Sequence, residues 1–159
     1  MLPEALKEHA TASALEAFDA AAIVGGKLDR NEVTLSIAPA KIVEACRFLK
    51  ETREFVRLVD VTAVDLYPQD PRFEIVYHLH SISRNERLRL KSLVAGEIDS
   101  VTCVWKGANW YEREVFDLFG VTFHNHPNLT RILMPEGWQG HPLRRDYPTH
   151  GYKYSYQNE

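Results

Sequence analysis

Cysteine is almost missing from this 159-residue chain, with Cys46 and Cys103 the only two. Two thiols cannot build a disulfide framework or a tetrathiolate metal site, and their scarcity fits a reducing, cytoplasmic compartment. No stretch approaches the roughly 18 apolar residues of a membrane span. The opening Met1-Leu2-Pro3-Glu4 lacks the basic and apolar regions of a signal peptide. Any membrane association is therefore expected to run through a partner. Glycine is unpatterned. Gly25-Gly26 stands alone, without a G-x-G-x-x-G fingerprint, a Walker sequence or a Gly-x-Ser-x-Gly elbow. An excess of one charge sign is lacking too: the net charge is -3 and the pI near 6.2. Nothing electrostatic points to nucleic acid or anionic lipid. Internal repeats and low-complexity segments are absent.

What is present is an ordinary globular composition, 45% hydrophobic and 26% charged, on a length that suits one domain. Leu2, Leu6, Ala10, Ala14, Phe18 and Ala21 fall near one face and predict a first helix from Glu4 to about Ala21. Ile23-Val24 and Val33–Ile37 read as short strands joined by a turn at Gly25-Gly26. Pro39 suits a first helical position, and Ile42, Val43, Cys46 and Leu49 recur at helical spacing up to about Glu51. Cys46 is expected as a buried thiol there, and Cys103 as structural. Three strands follow: Phe55–Leu66, which stops before the proline-bracketed Tyr67–Pro71, then Phe73–Leu79, then Arg87–Lys91.

The order α-β-β-α-β-β-β predicts a two-layer α+β domain, with helices on one face of a mixed, largely antiparallel sheet. After about Ala95 strands are expected to stop. All three tryptophans (Trp105, Trp110 and Trp138) lie beyond that point, among prolines and histidines. Residues 1–95 thus read as the α+β core. Residues 96–159 read as an irregular, aromatic and Pro-rich docking segment of the same domain, carrying one short helix.

That helix is expected from Asn109 to Gly120. Asn109 is a suitable N-cap, Glu112 completes a capping box, and Gly120 is placed for a left-handed end. Glu112 and Glu114 are favoured near the positive helix end. Tyr111, Val115, Leu118 and Phe119 form the predicted apolar stripe, while Arg113 and Asp117, four apart, are positioned to pair. The histidines His78 and His80 on a strand, and His124 and His126 in a loop, leave open a metal-dependent enzyme. Arg144 and Arg145, between Pro142 and Pro148, offer guanidinium forks for bidentate carboxylate contacts. Physics alone leads to a binding or scaffold module.

The run Glu112–Val121, then His126-Pro127-Asn128-Leu129 and Arg131-Ile132-Leu133-Met134, closely resembles the signature of the complex I thirty-kilodalton (C-type) subunit family. Gly140–Pro148 is similar to the segment that closes the same domain. The resemblance implies a non-catalytic subunit in the peripheral arm of a proton-translocating NADH:quinone oxidoreductase, beside the larger forty-nine-kilodalton (D-type) protein. It implies no cofactor and no metal in this chain, with FMN and iron–sulfur clusters held by partner subunits. It also implies a peripheral location on the cytoplasmic face of the membrane, without insertion into it. Residues expected at a partner interface are Trp110, Glu112, Arg113, Glu114, Phe116, Asp117, His126, Arg131, Trp138, His141, Arg144, Arg145, Asp146 and Tyr147. An equivalent subunit of a related membrane-bound hydrogenase or other quinone-linked dehydrogenase is the alternative.

Overall fold

The computed structural model describes residues 2–152, so the last part of the expected docking segment, 153–159, lies outside the described residues. The first helical region is broken. A 3-10 turn spans Glu4–Leu6, and helix α1 runs over Ala10–Phe18 with His9 as its cap, the imidazole Nδ1 accepting from the Ala12 amide. Strands β1 (Ile23–Asp29) and β2 (Glu32–Ile37) form a hairpin whose two-residue turn, Arg30-Asn31, holds both residues at positive φ, as the tightest hairpins require. The turn expected at Gly25-Gly26 is therefore not formed. Both glycines lie within β1, and at Gly26 a Cβ would sit 2.8 Å from a Leu6 methyl and from the Thr34 carbonyl. Gly26 serves close packing, and neither glycine reverses the chain.

Pro39 opens a 3-10 turn that leads into α2 (Ile42–Thr52). Ile42, Ala45, Cys46 and Leu49 make its buried stripe, so the Cys46 thiol is interior while Cys103 is exposed. Strands β3 (Arg57–Asp65), β4 (Phe73–Ser81) and β5 (Glu86–Val94) complete a sheet of order β1-β2-β5-β4-β3. Only the central β2–β5 pair is parallel. The alternation expected along β4 is present: Phe73, Ile75, Tyr77 and Leu79 face one core with Leu35, Ile37, Leu88, Leu90, Val61 and Ala63.

Strands do not end at Ala95. Two three-residue strands, β6 (Glu97–Asp99) and β7 (Thr122–His124), pair in parallel and bracket helix α3 (Ala108–Phe119). The core also continues past that residue, because Val101, Val104, Trp105, Val115, Phe119, Val121 and Phe123 belong to the same buried cluster. The Trp105 indole donates to the Phe55 carbonyl at 3.2 Å and Lys50 to the Val104 carbonyl, which fixes the approach to α3 against α2 and β3. Beyond His124 the described residues form neither helix nor strand.

Candidate functional site

Helix α3 begins one residue before the expected cap. Gly107 occupies the N-cap position without a side-chain bond, and Asn109 lies inside the first turn. The buried stripe is Ala108, Glu112, Val115 and Phe119, so a carboxylate stands where the period calls for an apolar residue. Glu112 is fully buried and completes no capping box. It accepts from the Ser100 hydroxyl at 2.6 Å and from the Val101 amide at 2.8 Å. Burial, only partly offset by those bonds, raises its pKa to about 7. Burial, with Glu112 nearby, also pushes the Cys46 thiol and the Tyr77 hydroxyl up.

His126 lies 3.9 Å from Glu112 without forming an ion pair with it. Its Nε2 donates to the Asn109 carbonyl at 3.2 Å, and its Nδ1 accepts from the Asn128 amide at 3.1 Å. Both ring nitrogens are used by a neutral imidazole, and burial lowers the pKa in agreement.

One helical turn later Asp117, also fully buried, gathers the chain that follows. Its Oδ2 accepts the amides of Ile132, Leu133 and Met134 at 3.0, 2.8 and 2.8 Å, while Oδ1 pairs with Arg131 at 2.8 Å. Burial alone would raise this carboxyl; the three amides and the guanidinium together hold it below its ordinary value. The pairing expected between Arg113 and Asp117 is not made. Arg113 instead donates to the Thr130 and Arg131 carbonyls, spanning the same segment from the other side.

The end of α3 is closed by residues 140–147. A helix leaves its last four carbonyls without internal partners, and here each finds one. Gly120 N–H bonds Phe116 O, His141 Nδ1–H bonds Asp117 O, Leu143 N–H bonds Leu118 O and Arg144 Nε–H bonds Phe119 O. Arg144 thereby sets a positive charge on the negative helix end, and its guanidinium also lies 5.4 Å from the Phe73 ring centroid.

The next residues are tied to the sheet. Asp65, at the end of β3, accepts from Arg72 twice and from the backbone amides of Tyr67 and Arg145, which holds its carboxyl well below the usual range. Arg72 turns its other edge to Asp146 at 2.6 and 3.0 Å. The twin arginines thus have separate duties: Arg144 works inside the domain, whereas the side chain of Arg145 is exposed and reaches the Tyr67 carbonyl at 3.4 Å.

Gly120 ties these parts together. Its φ is 73°, and a Cβ there would overlap the Arg144 guanidinium and the His141 ring. Gly120→Ala is expected to cost about 1–3 kcal/mol, because it combines left-handed strain with displacement of the docked loop. Thermal denaturation should show the loss, and hydrogen exchange at residues 140–147 should accelerate selectively. Unchanged exchange there would mean that the loop is held by other contacts.

Glu112 and Asp117 are therefore interior groups that shape the surface from beneath. Facing outward from α3 are Trp110, 62% exposed with the Arg113 guanidinium 5.3 Å from its ring centroid, the exposed Glu114 and the half-buried Phe116. Phe116 meets His141 edge-on at 6.4 Å. Arg131, Trp138 and Tyr147 are half-buried and Asp146 is exposed. Leu133 and Leu143, 54% and 52% exposed and absent from the sequence-based set, extend the apolar surface beside the helix end. Each is anchored by its own backbone amide, Leu133 to the Asp117 carboxylate and Leu143 to the Leu118 carbonyl, which no periodicity could reveal. Of the histidines considered for a metal, His78 and His80 lie on the main sheet, whereas His124 pairs with Glu97 and His126 sits beside α3. Among the described residues no three His, Cys, Asp or Glu side chains converge as a metal set. Nor is any helix there long and apolar enough to cross a membrane.

Comparison with known proteins agrees with the ordered blocks of α3 and the loops that clasp it. A family model described as the respiratory-chain NADH dehydrogenase 30 kDa subunit matches residues 35–153. The C subunit of NADH-quinone oxidoreductase from Geobacter sulfurreducens is 54% identical over 136 residues, covering 83% of this chain and 84% of that protein. The same subunit from Cereibacter sphaeroides is 44% identical over 156 residues, covering 95% of this chain and 76% of that protein. The mitochondrial NADH-ubiquinone oxidoreductase 30.4 kDa subunit of Neurospora crassa is 46% identical over 127 residues, covering 77% of this chain and 45% of that longer protein. Among solved structures, a chain of an archaeal respiratory membrane complex, the membrane-bound sulfane sulfur reductase, superposes with a TM-score of 0.68 at 25% identity, covering 86% of this chain and 83% of that one. The ordered blocks, the fold and these relatives converge, and the chain belongs to the family of respiratory-chain NADH dehydrogenase 30 kDa subunits.

Proposed function

We propose that this chain is a non-catalytic structural subunit of the peripheral arm of a proton-translocating NADH:quinone oxidoreductase. In this reading it braces the quinone-reducing module beside the forty-nine-kilodalton (D-type) protein. FMN and iron–sulfur clusters reside in partner subunits, and the chain is held at the cytoplasmic face of the membrane through the complex. The observation that carries the proposal is the outer face of α3. An exposed tryptophan bearing an arginine on its ring, with Glu114, Phe116, Leu133 and Leu143 nearby, is the mixture of aromatic anchor and polar rim found at protein interfaces. The buried carboxylates of Glu112 and Asp117 hold that face in one shape before any partner arrives, which lowers the ordering cost of binding.

Two substitutions on exposed positions test this. Trp110→Ala combined with Arg145→Glu is expected to leave the isolated chain folded, since both side chains are exposed. The same variant, tagged and expressed in the native background, should recover at least about tenfold less of the D-type partner, as expected for loss of a central anchor. Full assembly with unchanged NADH:quinone activity would count against the proposal. A second reading, the equivalent subunit of a different respiratory complex, draws on the likeness to the sulfane sulfur reductase chain. The identity of the electron-input subunit that co-purifies separates the two.

A further inference from the structure

The main sheet has two faces, and the helices use one. Strand alternation turns Glu74, Val76, His78 and His80 of β4 to the other, together with Arg87, Arg89 and Lys91 of β5. Register then sets Arg57, His80 and Arg87 side by side in one row across three strands, and Asp60, His78 and Arg89 in the next. Strands lie about 4.8 Å apart, so Arg57 and Arg87 emerge roughly 10 Å from each other with an imidazole between them. Cations placed this way repel.

Elsewhere on the same face charges are answered. Arg89 pairs with Glu32 at 2.6 Å and Lys91 with Glu74 at 2.6 Å. Among the described residues, Arg57 and Arg87 have neither an ion pair nor a hydrogen-bond acceptor for their side chains. The row floors an open cavity of about 810 Å³ that also takes in Val59, 41% exposed.

We infer that this face is a second interaction surface, which receives an acidic segment of a neighbouring subunit. Its carboxylates bridge Arg57 and Arg87 across His80, and an apolar side chain rests on Val59. Guanidinium forks match carboxylates bidentately, and a cavity of this size and openness suits a length of chain better than a single small anion. The next row supplies direction. Asp60 repels carboxylate there, and burial beside Arg89 lowers the pKa of His78, so the acidic groups are confined to the Arg57–His80–Arg87 row. The inference rests on membership of a subunit family and not on what α3 contacts.

A photoreactive benzoylphenylalanine at Val59, in the complex isolated through a tag on this chain, tests it. The expected result is a cross-link to one subunit, mapped by mass spectrometry to a segment containing Asp or Glu. Its yield should drop at least about tenfold when Arg57→Glu and Arg87→Glu are introduced, as for loss of a complementary charge pair. Lys27→Glu with Lys106→Glu, an equal change of net charge elsewhere, should leave the yield intact. With the isolated chain, a labelled polyglutamate peptide should bind saturably at low salt and be weakened by Arg57→Glu/Arg87→Glu, or by Arg87→Gln alone if the double variant does not fold. No cross-link in an assembled complex, a cross-link to a segment without carboxylates, or peptide binding indifferent to these arginines would overturn the inference. Subunit composition is read from the same preparation, so failure here is distinct from failure of α3 to dock.

Discussion

Replacing Asp117 with Ala is expected to lower the unfolding free energy by about 3–5 kcal/mol, the range for removing one partner of a buried charge pair. The carboxylate is fully buried, so its own desolvation opposes folding, yet its pKa lies below the ordinary 3.8. The bonds it makes therefore more than offset the cost of burying it. Without it, the amides of Ile132, Leu133 and Met134 and the Arg131 guanidinium lose their common acceptor at once. Asp117→Asn keeps the volume and one oxygen for the three amides but turns its NH2 toward the Arg131 guanidinium and removes the charge, and should fall between the native protein and Ala. Urea denaturation measures the loss, and hydrogen exchange should show residues 131–147 opening before the sheet does. A cost below about 1 kcal/mol, typical of a single neutral hydrogen bond, would sink this account. The sign with pH follows from the depressed pKa: the contribution is full above the unfolded value and disappears as pH falls below it.

Glu112 carries the opposite sign and gives the second large effect. Its pKa is raised from the ordinary 4.5 to about 7, so between these values the folded state binds the extra proton. Stability from this group is thus complete below about pH 4.5 and is lost as pH rises through 7, amounting to about 3 kcal/mol at the full displacement. Glu112→Gln should remove that slope. A glutamine amide can accept from Val101 N–H with its oxygen and donate to the Ser100 hydroxyl with its nitrogen, reproducing the bonding of the protonated acid. Denaturation at pH 5, 6.5 and 8 should show the native protein losing ground to the glutamine variant as pH rises, with the variant the more stable at pH 8. Parallel profiles for the two proteins would refute it. Asp65 and Asp117, whose values are depressed, act only at the acid end and do not mask this window.

These two residues also show where the sequence is legible and where it is not. Alternation in β4 and β5 and the proline entry to α2 are short-range patterns, and the structure follows them. Gly25-Gly26 misleads because a glycine pair is as useful for close approach as for a turn, and its reason, Leu6, lies far upstream in the chain. The true turn, Arg30-Asn31, shows little of the glycine usually found in such a hairpin. Strands β6 and β7 are too short for any period to register. Within α3 the expected stripe of Tyr111, Val115, Leu118 and Phe119 packs on the core, but Glu112, being polar, is assigned outward. Its spacing from Ala108 and Val115, four and three residues, is the available clue that a carboxylate sits in the core. Asp117 and Arg144 look like surface charges because their partners are largely backbone groups, and backbone leaves no mark in a sequence. The family blocks mark α3 and the loops that dock on it; the directions of their side chains come only with the coordinates.

The closure of α3 has a consequence for how the protein comes into being. Three of its last four carbonyls, those of Asp117, Leu118 and Phe119, are satisfied by His141, Leu143 and Arg144, which are translated well after the helix itself, so during synthesis α3 waits with a largely bare negative end and an unanswered carboxylate. The outer face of α3 therefore takes its final shape only once residues 141–144 have emerged and docked, a tertiary step later than formation of the helix itself.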